Sequence, residues 1–216
     1  MTSPSHAVRM DRNYRFQRHI YDITRRHYLL GRDILLARLQ PPAAGAVLEM
    51  GSGTARNLIA AAQRYPSARL FGVDVSSMML ATARNAIAKA GLTPRIRLQL
   101  ADATRLDAAS FFSVPAFDRV FFSYSLSMIP DWRGALAAAV AHLKPGGVLH
   151  VVDFGRMEDM PRVARAALRL WLRHYSVTPR DELIEELKVI AQRNGARLES
   201  RSLWRGYAVY AELTKS

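Results

Sequence analysis

The stretch Val47-Leu48-Glu49-Met50-Gly51-Ser52-Gly53-Thr54-Ala55-Arg56-Asn57 is a short apolar run that breaks into two glycines and continues in a helical pattern. This order predicts a strand, a tight turn and the start of a helix, in which backbone N–H groups can approach a ligand closely. We therefore expect a nucleotide-type pocket around Gly51 and Gly53.

Two phosphate-binding motifs share this outline, and neither is complete. A dinucleotide motif needs a third glycine where Arg56 stands, and a phosphate-binding loop needs a lysine that is missing between Gly51 and Pro66. Two acids are present instead, because Glu49 precedes the glycines and Asp74 closes the next apolar run. An acid after a second strand can bind ribose hydroxyls, and Glu49 suits an ammonium group. The pattern resembles class I S-adenosylmethionine-dependent methyltransferases, whose ligand carries ribose, adenine and an amino acid but no phosphate.

Length and composition limit the remaining possibilities. A chain of 216 residues, half of them apolar, is expected to form one domain with a full core. No apolar run is long enough to span a bilayer and no signal-peptide core is visible, so we expect a cytoplasmic protein that is not integral to a membrane. There are no cysteines, and the six histidines lack metal-ligand spacing, so no metal is expected.

The charge is strongly positive, with a formal net charge of +13 and a pI near 10.8. Such an excess attracts nucleic acid or an anionic membrane surface, although an arginine-rich composition in an ordinary enzyme is an alternative. Within Met160–Tyr175, four arginines (Arg162, Arg165, Arg169 and Arg173) share one arc of a helix, opposite an apolar side that includes Trp171. This pattern is typical of a helix lying on a membrane, and a surface helix with solvated arginines is the alternative.

The rest of the chain predicts an N-terminal helical cap over residues 1–40, jointed at Gly31, and a cofactor-binding domain over residues 41–216. Strand and helix alternate in the second part, which predicts a parallel sheet covered on both faces. Strands are expected near Ala46–Met50, Leu70–Val73, Ile96–Leu100, Arg119–Phe122 and Val148–Val152, with helices near Arg56–Arg64, Ser77–Ala90, Trp132–Leu143 and Asp181–Asn194. Lys144–Gly147 reads as a turn, and Arg197–Leu203 with Tyr207–Leu213 as a terminal hairpin. The resemblance implies an α/β, Rossmann-like, mostly parallel seven-stranded sheet.

Four successive strand ends each carry a candidate contact, namely Thr54, Asp74, Asp102 and Ser123. Capping of local turns by Thr54 and Asp102, and an internally satisfied Ser123 hydroxyl, are the alternatives. The resemblance implies that S-adenosyl-L-methionine is bound, with S-adenosyl-L-homocysteine as product. The implied cofactor contacts are Glu49, Gly51, Gly53, Thr54, Asp74, Val75, Met79, Asp102, Ala103 and Ser123, with Arg32 as the partner of a carboxylate. His142 and His150 lie in apolar surroundings and are expected to be structural.

Methyl transfer from a sulfonium is an in-line displacement that depends mainly on holding the two reactants close and aligned. Aromatic faces stabilise the sulfonium and a methylated ammonium product, which makes Tyr14, Tyr21, Tyr28 and Tyr124 candidates. An amine acceptor must first lose a proton, either in solution or through His19 or a tyrosine. The expected catalytic residues are therefore Tyr124, Tyr21 and His19.

Several segments narrow the resemblance to the bacterial N-methyltransferases of betaine-lipid synthesis, the BtaB family. The segments are Tyr14-Arg15, Arg18–Arg26, Tyr28–Asp33, Ser123–Trp132, His150–Gly155 and Arg205–Ala208. This resemblance implies transfer of three methyl groups to the amine of diacylglyceryl-homoserine, a lipid headgroup, by an enzyme associated peripherally with the inner face of an anionic membrane. Ala55 departs from the pattern, because glycine is common at that place.

Three other functions remain open. The first is methylation of another lipid amine, such as phosphatidylethanolamine, or of a quinone-precursor ring. The second is nucleic-acid modification or binding, against which stands Ser123-Tyr124-Ser125-Leu126, where base-amino methylases usually carry an acidic or amide residue before Pro-Pro and an aromatic residue. The third is a non-catalytic lipid-surface protein. No nucleic-acid partner is expected, and the sequence leaves the oligomeric state open.

Overall fold

A seven-stranded sheet forms the centre of residues 29–216, the part of the chain that this computed structural model describes. The strands are β1 (Ala46–Met50), β2 (Arg69–Asp74), β3 (Ile96–Leu100), β4 (Phe117–Ser123), β5 (Leu143–Phe154), β6 (Arg197–Leu203) and β7 (Ala208–Thr214). The helices are α1 (Arg32–Arg38), α2 (Arg56–Arg64), α3 (Ser77–Lys89), α4 (Ala108–Phe112), α5 (Trp132–Ala141), α6 (Arg162–His174) and α7 (Leu183–Arg193). A short 3₁₀ turn spans Ala103–Arg105.

The strand order is β3-β2-β1-β4-β5-β7-β6. Strands β1 to β5 pair in parallel, whereas β7 runs antiparallel between β5 and β6. The order reverses between β1 and β4, and ligands of open α/β sheets bind at the carboxyl ends of the strands beside such a reversal. The predicted fold class is confirmed, and the fold places a crevice where the two glycines follow β1.

Both faces of the sheet are covered by helices, as the alternating pattern predicts. On one face, Phe112 of α4, Leu136 of α5 and Leu187 of α7 pack in one apolar cluster with the sheet. On the other face, Leu35 of α1, Leu58 of α2, Ile87 of α3 and Leu172 of α6 belong to a second cluster. The sheet is therefore held between two helical layers, and its carboxyl rim lies between them.

Most predicted elements agree with the structure to within a few residues, and the turn predicted at Lys144–Gly147 is found as a bulge near the start of β5. These residues lie inside β5, which already begins at Leu143. The extension is held from the C-terminus, because Gly146 N donates to Lys215 O and Lys215 N donates to Gly147 O, each at 2.9 Å. The pairing with β4 shifts here from Phe117–Leu143 to Arg119–Val148, and Gly146 has a φ of +70°. The segment therefore turns out of the strand, as its glycines and proline suggest.

Only the last part of the predicted N-terminal cap falls within the described residues. Helix α1 begins after Gly31, whose φ is +87°, and the helix predicted before this joint lies outside the described residues. A Cβ at Gly31 would lie 3.0 Å from Val152 and 3.1 Å from Leu203, which leaves little room for any side chain. The division into a cap over residues 1–40 and a domain over residues 41–216 stays a prediction.

Candidate cofactor site and rim cluster

The loop between β1 and α2 is tightly turned and held against β2. Gly51 and Gly53 have φ values of +78° and +52°, a region that glycine enters without steric cost. Gly51 N and Ser52 N both donate to Val73 O at 2.9 Å. A Cβ at Gly51 would lie 2.6 Å from Ser125 Cβ, whereas one at Gly53 would meet nothing within 4 Å. The loop is thus packed at Gly51 and open at Gly53, where a ligand could approach the backbone.

Asp74 stands at the end of β2 and links this loop to α3. Its Oδ2 accepts a hydrogen bond from Gly53 N at 2.8 Å, and its Oδ1 accepts one from Ser76 N at 2.9 Å. These two backbone N–H groups fix the carboxylate at the end of β2, beside the open side of the glycine loop. An acid fixed at this place suits contact with ribose hydroxyls.

Glu49 is buried beneath the loop, at 1 % exposure. Asn57 Nδ2 donates to its Oε1 at 2.7 Å, while Glu49 Oε2 and Asn57 Oδ1 have no hydrogen-bond partner among residues 29–216. Burial raises the pKa of Glu49 to about 8, although the hydrogen bond from Asn57 and the positive charge of Arg32 act against this shift. Buried acceptors without donors are uncommon, and an ammonium group would supply the missing N–H donors.

Asp102 follows β3 and caps the 3₁₀ turn that comes next. Its Oδ1 accepts from Thr104 N at 2.9 Å and from Thr104 Oγ1 at 2.8 Å. Asp102 therefore caps this turn, as the alternative interpretation predicted. Both hydrogen bonds use Oδ1, so Oδ2 remains for a donor on a ligand. Ala103 beside it and Met79 on α3 are buried, and Val75 is half-buried.

Ser123 and Thr54 complete the predicted set. The hydroxyl oxygen of Ser123 is buried, and no residue from 29 to 216 makes a hydrogen bond to it, so the alternative of a satisfied loop hydroxyl does not hold. Ala55 is the N-cap residue of α2, and no side chain caps this helix end, so Thr54 does not cap it. Ala55 itself has a φ of +60°, which explains why glycine is favoured at that position.

The strand pairing shows that these residues share one edge of the sheet. Met50 is paired with Val73, and Asp74 with Leu100, so the ends of β1, β2 and β3 are level. Ser123 ends β4, which is paired with β1 on its other side. The structure therefore brings Thr54, Asp74, Asp102 and Ser123 to the same rim, at the ends of four neighbouring strands.

Tyr124 requires a correction to its expected catalytic role. Its side chain is 2 % exposed, and its hydroxyl donates to Leu30 O at 2.6 Å. Burial raises the pKa of Tyr124 above the ordinary tyrosine range. A phenol that stays protonated and donates to a carbonyl does not take a proton from an amine, so the structure contradicts the proton-accepting role. The other predicted role of Tyr124, an aromatic face near the sulfonium, stays a prediction. His19 and Tyr21, the other catalytic candidates, lie outside the described residues.

Around Tyr124 lies a group that we call the rim cluster: Leu30, Tyr124, Ser127, Asp153, Phe154 and Tyr207. Tyr124 and Phe154 have ring centroids 4.7 Å apart, and Phe154 and Tyr207 have centroids 5.8 Å apart. Ser127 N donates to Asp153 Oδ2 at 3.1 Å, and burial raises the pKa of Asp153 to about 6. Sequence reasoning did not assign Asp153 to the site, although an acid that closes the apolar run of β5 is a signal of the same kind as Asp74.

The rim cluster joins four segments that are far apart in the chain. Tyr124 connects the segment after β4 to the start of α1 through Leu30, and to the end of β5 through Phe154. Gly155 N donates to Tyr207 O at 2.9 Å, which adds the segment before β7. The same four segments, as far as the structure describes them, carry the resemblance to the BtaB family.

The described residues contain neither a metal-ligand cluster nor a membrane-spanning helix. No three His, Cys, Asp or Glu side chains in that range come together as metal ligands. In the same range, no helix has the length and apolar character needed to cross a membrane.

A comparison with protein families agrees with this geometry. Residues 47–147 match the family model described as a methyltransferase domain. This match shows a methyltransferase domain over residues 47–147, and the strand order and the rim acids agree with it. The cofactor of such a domain is S-adenosylmethionine. The site fits that cofactor, because the buried acceptors of Glu49 and Asn57 lack donors and Asp74 faces the open side of the glycine loop.

Individual proteins similar to this chain carry out different methylations. The trans-aconitate 2-methyltransferase of Deinococcus radiodurans is 34% identical over 105 residues, which are 49% of this chain and 36% of that protein. The ubiquinone/menaquinone biosynthesis C-methyltransferase UbiE of Desulfotalea psychrophila is 32% identical over 132 residues, 59% of this chain and 50% of that protein. The chain thus spans half or less of the length of these relatives.

Among solved structures, the plantazolicin methyltransferase BpumL in complex with a triazolic desmethylPZN analogue and SAH superimposes with a TM-score of 0.72. The superposition covers 98% of this chain and 95% of that one, at 13% sequence identity. This likeness supports the fold over nearly the whole described chain.

Proposed function

We propose that this protein is an S-adenosylmethionine-dependent N-methyltransferase that converts the amine of diacylglyceryl-homoserine into the trimethylated betaine lipid. The supporting observation is the rim cluster. The segments that resemble the betaine-lipid enzymes are separated by up to about 180 positions in the sequence, yet they meet beside the cofactor crevice through Tyr124 and Phe154. Segments that specify an acceptor are expected at such a place.

The chain's own residues hold and orient the reactants in this proposal. The cofactor supplies a methyl group on a sulfonium. Glu49 and Asn57 bind its ammonium, Arg32 pairs with its carboxylate or with that of the homoserine headgroup, and Asp74 accepts from its ribose. Alignment of two bound reactants can lower a barrier by about 7–11 kcal/mol, so these contacts are sufficient for an in-line displacement.

The proton of the acceptor amine needs a destination. Tyr124 donates its own proton to Leu30 O, and both oxygens of Asp153 accept backbone N–H groups, from Ser127 and Phe154. Neither group is arranged to take a proton from a substrate. We therefore infer that the amine gives its proton to solvent before it enters the site, unless His19 or Tyr21 accepts it.

A second candidate is C-methylation of a quinone-precursor ring. The match to UbiE, at 32% identity over 132 residues, favours it. That reaction and the proposed one would use the same cofactor site, and they differ in the acceptor, which is a ring carbon in one case and an amine in the other.

The test is incubation of the purified protein with methyl-labelled S-adenosylmethionine and separate acceptors. The acceptors are diacylglyceryl-homoserine, phosphatidylethanolamine, a quinone precursor, trans-aconitate and RNA. The expected result is label in the homoserine lipid, as monomethyl, dimethyl and trimethyl products separated by mass spectrometry. An Asp74→Ala protein serves as the control for cofactor-dependent labelling. Label only on the quinone ring, trans-aconitate or RNA would reject the betaine-lipid assignment and leave the domain class unchanged.

A further inference from the structure

Helix α6 does not follow the alternative of a surface helix whose four arginines are all solvated. Leu172 is buried, and Arg165, Leu168 and Arg169 are half-buried on the same side. The guanidinium of Arg169 holds Asp181 with two hydrogen bonds, Nη2 to Oδ1 at 2.7 Å and Nη1 to Oδ2 at 3.0 Å. One of the four arginines is thus a structural anchor for the helix.

The outward side of α6 is apolar. Val163 and Leu170, which lie two helical turns apart, are 83 % and 63 % exposed. Ala166, Ala167 and Trp171 are exposed beside them. Exposed apolar side chains of this size in one stripe are unusual on a protein surface and mark an interaction site.

A second exposed apolar group lies in the turn between β6 and β7. Trp204 is 48 % exposed, and Trp204 and Arg205 have φ values of +47° and +58°. Two successive positive φ values favour glycine or asparagine in a hairpin turn, so a tryptophan and an arginine are held there at an energetic cost. Such a cost is typical of functional positions.

The turn and the helix belong to one surface on the cofactor rim. Arg205 Nε donates to Asp159 O at 2.9 Å, three residues before α6 begins. Phe154 at the end of β5 is paired with Ala208, and Leu203 is paired with the same residue. The turn therefore projects from the edge of the sheet at which β5 ends and the rim cluster lies. We call Val163, Leu170, Trp171 and Trp204 the apolar surface.

The charges around the apolar surface are mainly positive. Exposed arginines flank it, namely Arg162, Arg173, Arg201 and Arg205, and α6 contains no acidic residue. The acids nearby are Glu158, Asp159, Asp181 and Glu182. Of these, Asp181 is paired with Arg169 and Glu182 with Arg133. A surface with apolar groups at its centre and cations at its edge complements an anionic lipid bilayer.

We propose that the apolar surface inserts into the interfacial region of an anionic membrane, with the flanking arginines at headgroup level, so that the cofactor rim faces the lipid headgroups. The proposal rests on the proposed lipid acceptor and adds the docking geometry. A second copy of the chain or a nucleic acid could also cover a basic, apolar surface, and both are outcomes of the test.

Vesicle binding by the full-length protein tests the insertion. The double variant Val163→Glu with Leu170→Glu is compared with Val189→Glu, which changes an apolar residue 39 % exposed on α7, outside the surface. With vesicles of phosphatidylglycerol and phosphatidylcholine, the double variant is expected to bind about tenfold or more weakly, and the control as the parent does. Pure phosphatidylcholine vesicles should bind the parent weakly.

Quenching of tryptophan fluorescence by brominated lipids measures whether the apolar surface enters the bilayer. The chain has three tryptophans, of which Trp171 and Trp204 belong to the surface, whereas Trp132 is buried in the core. Brominated lipids should quench the parent protein, and quenching should be lost in Trp171→Phe with Trp204→Phe, where only Trp132 remains. Quenching that persists in this variant would overturn the proposal, as would equal vesicle binding by the Val163/Leu170 variant.

The other occupants give different results. If the surface joins two copies, the parent should dimerise without lipid and the double variant should be monomeric by sedimentation. If it binds nucleic acid, the double variant should lose RNA affinity and keep vesicle binding. Methylation of the lipid in detergent micelles separates the two proposals, because a protein that methylates in micelles but does not bind vesicles would retain the proposed function and lose only the docking surface.

Discussion

Cofactor binding should be linked to the titration of Glu49. Burial raises the pKa of Glu49 from 4.5 to about 8, so the side chain is mostly protonated at neutral pH before the cofactor binds. The difference corresponds to on the order of 5 kcal/mol against the carboxylate form, at about 1.4 kcal/mol per tenfold. A ligand ammonium beside Oε2 would favour the carboxylate, and binding would then release a proton.

The magnitude follows from the fraction of Glu49 that is ionised. With a pKa of about 8, this fraction rises about twentyfold between pH 6 and pH 7.5, and the apparent affinity should rise by a similar factor. Below pH 7, close to one proton should be released per ligand bound. The predicted rise in affinity applies only up to pH 7.5, because the amino group of the ligand itself titrates near pH 8.

Calorimetry with S-adenosylhomocysteine measures both quantities, since this ligand carries the amino acid and cannot react. Titrations in phosphate and in an amine buffer of the same pH give the number of protons released. In Glu49→Gln, the affinity should be lower and nearly independent of pH. Asp102→Asn is the matched control, because Asp102 is not among the groups that shift the pKa of Glu49, so the affinity should fall and the pH dependence should be kept. A parent affinity that is flat from pH 6 to 7.5, or an unchanged slope in Glu49→Gln, would refute the linkage.

Four further predictions concern single residues. Asp74→Ala should weaken S-adenosylhomocysteine binding by about tenfold or more in calorimetry, since a ribose contact is lost. Ala55→Gly should raise the melting temperature, because alanine at a φ of +60° costs about 1 kcal/mol, whereas Ala60→Gly inside α2 should lower it. Burial lowers the pKa of His150 to about 4, so neutral His150 stabilises the fold fully above pH 6.5, and this stabilisation is lost as the pH falls towards 4. At pH 5 the parent should therefore be about 2 kcal/mol less stable than at neutral pH, as measured by urea denaturation, and His150→Gln should not show this decrease. Tyr124→Phe should lower the free energy of unfolding by about 1 kcal/mol, because the hydrogen bond to Leu30 O is lost, and it should keep the shape of the pH–rate profile. If the variant loses the alkaline limb of that profile, Tyr124 acts as a base after all.

The sequence predicts the fold well because the fold depends on local signals. The apolar runs, the glycines and the helix starts give β1, β3 and α2 with the observed bounds. The four rim residues are also predictable, since parallel strands end on the same edge and any polar residue after them lies there. Position along a strand is enough to place these side chains.

Contacts between distant segments are what the sequence does not specify. The hydroxyl of Tyr124 is directed to Leu30, 94 positions away, and a tyrosine after β4 could as well have faced a substrate. In α6, Arg169 is paired with Asp181, 12 positions away, and Leu172 is buried in the core. Periodicity divides the helix into two faces, but contacts with distant segments determine which face is buried.

The short segment from Asp153 to Met157 connects the rim cluster to the apolar surface. Phe154 contacts Tyr124. Gly155 N donates to Tyr207 O, and Met157 N donates to Gly206 O, directly after Trp204 and Arg205. Arg169 of α6 donates to Arg156 O at 3.2 Å. Because consecutive residues carry both sets of contacts, the docking surface cannot shift far without moving the end of β5. A membrane that fixes α6 and the Trp204 turn would therefore also fix the rim from which the acceptor amine must meet the methyl group.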